Sequence, residues 1–146
     1  MIRQILILFF LSYTLSYTYT QNLVNNPGFE KYRGKGIAYS NDVSMATFWT
    51  GLNTADYFNS NKNIKPNYEY RRQLVYIFKP RTGDAYAGIR IQKSYREFIQ
   101  NELIEPLKAS ESYEVSFYIN LSRNSIYQLE NMGFSFSENP IEVKHI

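Results

Sequence analysis

The chain has 146 residues, a formal net charge of +3 at pH 7, and 44% hydrophobic against 20% charged side chains. That balance excludes a disordered chain, and the length fits one domain or part of one. Cysteine is absent and the one histidine is His145, which removes disulfides, thiolate metal sites and thiol nucleophiles and leaves little room for zinc or Ser-His chemistry. With 14 Tyr and 10 Phe, the aromatic content fits strands and flat contact surfaces better than helix interiors.

Residues 1–20 read as a signal peptide. Arg3 supplies a positive n-region, and residues 5–11 (ILILFFL) form an apolar run of seven. At about 1.5 Å per residue such a run falls well short of a bilayer core of about 30 Å, and it has the length of a signal h-region. A buried N-terminal strand is the alternative. Thr18-Tyr19-Thr20 stands where Ala-x-Ala is preferred, and the expected cut falls before Gln21, within a few residues. No Cys follows to take a lipid, and no transmembrane segment is expected after cleavage. The mature chain, residues 21–146, would then be exported to the periplasm, cell surface or extracellular space with a net charge of +2 once Arg3 is gone.

The mature chain reads as one domain without repeats or linkers. Residues 22–30 (NLVNNPGFE) suggest an edge strand at Leu23 and Val24, a turn at Asn26-Pro27-Gly28, and Phe29 as a plug. The Asn-rich residues 53–67 read as a long loop. Residues 68–78 (YEYRRQLVYIF) have a strand composition with an irregular pattern. A turn at residues 80–84 leads into a strand at 85–91 (AYAGIRI), in which Gly88 suggests a bulge or a close backbone approach. Tyr95, Phe98, Ile99 and Leu103 have helical spacing until Pro106 stops it. The clearest element is residues 113–121, where Tyr113, Val115, Phe117, Ile119 and Leu121 alternate with Glu114, Ser116, Tyr118 and Asn120. Period two over nine residues predicts a half-buried strand, the first set facing the core and Tyr118 facing out. Residues 132–136 alternate similarly. Short strands separated by turns point to an antiparallel sandwich.

Charge is uneven: residues 61–96 hold nine basic and two acidic side chains, and residues 97–146 three and eight. The bases are scattered in apparent loops, so a solvated face is expected, with a weak preference for acidic polymers as the alternative. Export argues against nucleic acid as a partner.

The Asn22–Glu30 segment resembles the NLV-x-N-x-x-FE start of galactose-binding-like jelly rolls, including carbohydrate-binding modules. Further blocks follow in order: Trp49, residues 56–59 (DYFN), 80–89 (PRTGDAYAGI), 95–100 (YREFIQ), Pro106-Leu107, 113–118 (YEVSFY), Asn131-Met132-Gly133 and Phe136-Ser137. Together they look like the N-terminal domain of secreted and surface proteins of Bacteroidetes, a domain often followed by an outer-membrane-protein-A-type or secretion-sorting domain. The resemblance implies an all-β fold, an antiparallel jelly-roll-like β-sandwich incomplete at the C-terminus. It also implies a strand rather than a helix over residues 95–103. Family members often carry two Cys, before Trp49 and just after the 56–59 block; here Gly34-Lys35-Gly36 and Ser60-Asn61 stand near those places.

No phosphate loop, Gly-x-Ser-x-Gly, His-Glu-x-x-His or recognisable carboxylate pair occurs, so a non-catalytic role is expected. In related modules the Glu of the Phe-Glu start can ligate a structural calcium, which makes Glu30 the one metal candidate; a solvent-exposed Glu at a strand end is the alternative. No other cofactor is expected. Sugar recognition uses exposed aromatic faces beside amide and charged groups. Tyr118 with Arg96 or Asn120 is the first candidate site and Tyr57 and Tyr86 the second, with Tyr95 and Asn59 also available; for each Tyr, ordinary packing is the alternative. Trp49 is expected in the core. The expected function is an exported binding module at the cell surface with glycan as ligand, or else a structural or protein-interaction module of a cell-envelope protein.

Overall fold

The computed structural model describes residues 21–34, 39–61, 79–122 and 125–142. The expected signal peptide and the strand-like residues 68–78 lie outside the described residues. Within them the chain is β-rich, built from small antiparallel sheets. Seven strands follow in order: β1 (Tyr39–Ser40), β2 (Trp49–Leu52), β3 (Asp56–Asn59), β4 (Ala85–Gly88), β5 (Ile91–Gln92), β6 (Tyr95–Arg96) and β7 (Phe98–Asn101). A three-stranded sheet has the order β1-β3-β4, while β2 pairs with β7 and β5 with β6.

One short 3₁₀ turn, Val43–Met45, connects the two larger sheets by packing on both β2 and β3. Asp42 starts it by accepting from the Ser44 backbone N–H at 2.8 Å, which satisfies a donor that a helix start leaves open. The turn drives Val43 inward, and the Val43 N–H donates to the Ala55 carbonyl at 2.8 Å. The core beside it is small: buried Ala46, Tyr57 and Ala85, with Phe29, Met45 and Trp49 packed around them.

The expected loop over residues 53–67 is interrupted by β3. Here Tyr57 and Asn59 point inward while Asp56 and Phe58 occupy the other face. On that face Phe58 stands directly opposite Tyr86 on β4 and stacks on it, with ring centroids 4.9 Å apart. Gly88 provides the close approach expected of it, since a Cβ there would lie 2.8 Å from the Phe58 ring.

Residues 95–101 form strands rather than a helix. The two-residue connection Lys93-Ser94 joins β5 to β6, and β7 pairs with β2 in the register Trp49↔Asn101 to Leu52↔Phe98. Glu97 decides between the two readings. It is 3% exposed, and it is held by the Arg90 backbone N–H at 2.6 Å and by Thr54 and Tyr95 hydroxyls, each at 3.0 Å. A helix with Tyr95, Phe98 and Ile99 on its buried face has no such set of donors to offer a carboxylate.

The largest departure from expectation is at residues 113–121. Tyr113, Val115, Phe117, Ile119 and Leu121 are all exposed, Phe117 at 48%, and no strand forms there. Residues 132–136 are likewise exposed and outside any strand; Phe134 and Phe136 meet edge to face at 5.6 Å. Alternation qualifies a segment for one face of a sheet, but a strand also needs a neighbouring backbone. Among the described residues nothing pairs with this one. Among the described residues, residues 113–142 are tied to the rest by Arg81, which lies over the Tyr118 ring, and by the Gln100 carboxamide, which meets the Ile141 backbone at both ends, 2.9 and 3.3 Å.

Candidate functional site

The Asn22–Glu30 segment is used for construction. Val24 bridges Leu103, and the Ile104 N–H donates to the Leu23 carbonyl at 2.8 Å. Asn25 exchanges hydrogen bonds with the carboxamide of Asn101, at 3.1 Å into Oδ1 and 2.9 Å from Nδ2. Asn26 is 8% exposed and sits in the left-handed region at φ 48°, which Asn tolerates better than most residues. Its Oδ1 accepts from Lys31 N–H, and its Nδ2 donates to the carbonyls of Lys31 and Thr47. Its own carbonyl accepts from Phe29 N–H, closing the Pro27-Gly28 turn, and from the Trp49 indole at 2.9 Å. Phe29 then stacks on Trp49 with centroids 4.5 Å apart. Trp49 is half-buried against the core, as its expected packing role requires.

Glu30 closes a polar network at one end of the three-stranded sheet. Its Oε1 accepts from the backbone N–H groups of Asp84 and Ala85, at 2.8 and 3.0 Å. Gly83 permits this: it has φ +65°, and a Cβ there would collide with the Glu30 carboxylate. From Asp84 the network runs through Asn61, whose Nδ2 donates to Oδ2 at 2.9 Å, to Asn59 and then to the Tyr57 hydroxyl at 2.9 Å. Desolvation by burial raises the Tyr57 pKa above its ordinary value; the Asn59 hydrogen bond lowers it, and the charges of Glu30 and Tyr32 add to the rise. Glu30 therefore spends one oxygen on the 81–84 turn. Among the described residues no three His, Cys, Asp or Glu side chains gather as a metal-binding group.

The aromatic candidates fall into two classes. Tyr57 is fully buried and belongs to the core, while Tyr86 has a ring face covered by Phe58. Tyr95 directs its hydroxyl to Glu97 and Thr54, and Asn59 is buried beneath Tyr57. Tyr118 is 71% exposed. The cation beside it is Arg81, with its guanidinium carbon 3.5 Å from the ring centroid; no hydrogen bond or ring contact among the described residues joins Tyr118 to Arg96 or Asn120. Both of these are exposed, and Arg96 is held in β6, where its carbonyl accepts from Asn53. Arg81 lies 37 residues from Tyr118, in a turn that no local sequence pattern connects to it.

Around Tyr118 the chain presents backbone as well as side chains. Among the described residues, the main-chain groups of residues 114–121 make no hydrogen bond. No described helix is long and apolar enough to cross a membrane. No family model, curated protein or solved structure matches the chain.

Proposed function

We propose that the chain is an exported, non-catalytic interaction module of the cell surface, with a jelly-roll-like sandwich as its architecture and an extended polypeptide as its partner. The observation that carries this reading is the stretch of residues 113–121, an alternating segment with exposed apolar side chains, in which the main-chain groups of 114–121 make no hydrogen bond among the described residues. Nine such residues are what a sheet edge offers to an added strand: main-chain hydrogen bonds for affinity and alternate side chains for specificity. Export is carried by the Arg3 and 5–11 pattern. The resemblance of residues 22–30 to the start of galactose-binding-like domains in Bacteroidetes surface proteins supports the same reading.

Amide hydrogen exchange tests the reading. In dilute protein the amides of residues 114–121 exchange at rates near those of a free peptide, while those of β3 and β7 are protected. Protection of 114–121 equal to that of β3 in a monomer refutes it. A glycan ligand is the second reading, favoured by the exposed Tyr118 ring with Arg81 on one face. It requires that binding on a glycan array be lost in Tyr118→Ala while the fold is retained.

A further inference from the structure

We infer that the polypeptide partner of residues 113–121 is a second copy of this chain, paired antiparallel about Phe117. The inference rests on the interaction reading above and names the occupant of that segment.

The argument is one of register. Fold the nine residues back on a copy of themselves with the two-fold axis at Phe117. Tyr113 then stands opposite Leu121, Val115 opposite Ile119, and Phe117 opposite Phe117, so one face of the ribbon is apolar throughout. On the other face Glu114 stands opposite Asn120, and Ser116 opposite Tyr118. The only charged residue of the segment therefore faces a neutral amide. A parallel in-register pairing would place Glu114 on Glu114, and like charges directly opposite are destabilising. The antiparallel arrangement is isologous, each patch meeting its own copy, which is the form a closed dimer takes.

Arg81 adds charge complementarity. It is fixed over the Tyr118 ring. In this register the diagonal neighbours of Tyr118 across the ribbon are Glu114 and Tyr118 of the second copy. Diagonal positions lie about 7–8 Å apart, within reach of a long side chain. Each Arg81 thus meets the Glu114 of the other copy, twice per dimer. The pairing also gives backbone hydrogen bonds to alternate residues of a segment in which 114–121 make none among the described residues.

The chain has no Cys, so one introduced thiol reports the register directly. Expected for the exported chain are a concentration-dependent dimer in sedimentation equilibrium and protection of amides 114–121 that rises with concentration. Phe117→Cys cross-links to itself rapidly under mild oxidation, and Tyr113→Cys, whose opposite residue is Leu121, does so far more slowly. Phe117→Lys and Phe117→Asp each weaken the dimer by about tenfold or more, and mixing the two restores it as a heterodimer. Retained Trp49 fluorescence shows that each variant is folded. A monomer at all concentrations with open 114–121 amides overturns the inference and leaves the interaction reading standing with a different partner. A monomer with those amides protected overturns both. Equal cross-linking from positions 113 and 117 overturns the register.

Discussion

Asn26→Ala is the sharpest test of how the described fold is held. The side chain makes three hydrogen bonds: with the Lys31 N–H at 3.0 Å, the Lys31 carbonyl at 2.8 Å and the Thr47 carbonyl at 3.0 Å. The Lys31 carbonyl keeps a second donor, the Thr47 N–H, after the change. Among the described residues the Lys31 N–H and the Thr47 carbonyl do not, and each, being only part-buried, costs about 1 kcal/mol, the low end for an orphaned polar group. Alanine must also occupy φ 48°, at a cost of about 1–2 kcal/mol. Together these effects predict a loss of about 3–4 kcal/mol from a total of about 5–15 kcal/mol. Urea denaturation reads it conveniently, because the only Trp, Trp49, donates to the Asn26 carbonyl and so reports this region. With a slope of about 2 kcal/mol/M the midpoint falls by roughly 1.5–2 M. Asn26→Gly removes the same bonds without the left-handed strain, and it should recover about 1 kcal/mol relative to alanine. A loss below about 0.5 kcal/mol for Asn26→Ala, or glycine worse than alanine, would refute the reasoning.

Glu97→Ala should cost about 1–3 kcal/mol in the same titration, because it leaves the Arg90 N–H and the Thr54 and Tyr95 hydroxyls without the carboxylate that accepts from them; undiminished stability would mean that those donors have other acceptors. Tyr57 gives a pH signature. Its folded pKa lies above its unfolded one, so the unfolded state releases the proton first. Its contribution is intact below about pH 10 and is lost as pH rises from there through the folded pKa, with a slope of at most about 1.4 kcal/mol per pH unit. The melting temperature of Tyr57→Phe, compared with the native chain between pH 8 and about 11, should show less alkaline loss, and parallel curves would deny Tyr57 that role.

What was legible in the sequence divides along physical lines. The turn at Asn26-Pro27-Gly28, the strand beginning at Ala85 and the close approach at Gly88 are local features, and local chemistry announced them. Tyr57 was weighed as a surface ring because the Asn-rich residues 53–67 read as a loop, and the four residues of β3 inside that stretch, with an aromatic on each face at Tyr57 and Phe58, are too short an alternation to say which face is inside. Inward Asn59 and the capped Val43 turn decide that, through contacts remote from any pattern. The amide ties are still less legible: Asn101 grips Asn25 across 76 residues of chain and Gln100 grips Ile141 across 41, in each case through main-chain atoms that every residue possesses. Side chains that bind backbone leave no complementary residue type to find. Residues 113–121 are the converse case. Their alternation is the strongest in the chain, and yet they are open, because the period of a strand records a demand for a partner without naming one. An apolar segment of this length exposed to water is costly to keep, at roughly 25 cal/mol per Å² of apolar surface, and prone to pair with whatever strand it meets. Selection for monomeric solubility would break it with a lysine or proline near its centre. The centre here is Phe117 between Ser116 and Tyr118, with Glu114 as the segment's one charge, placed where a two-fold pairing meets it with Asn120 rather than with itself.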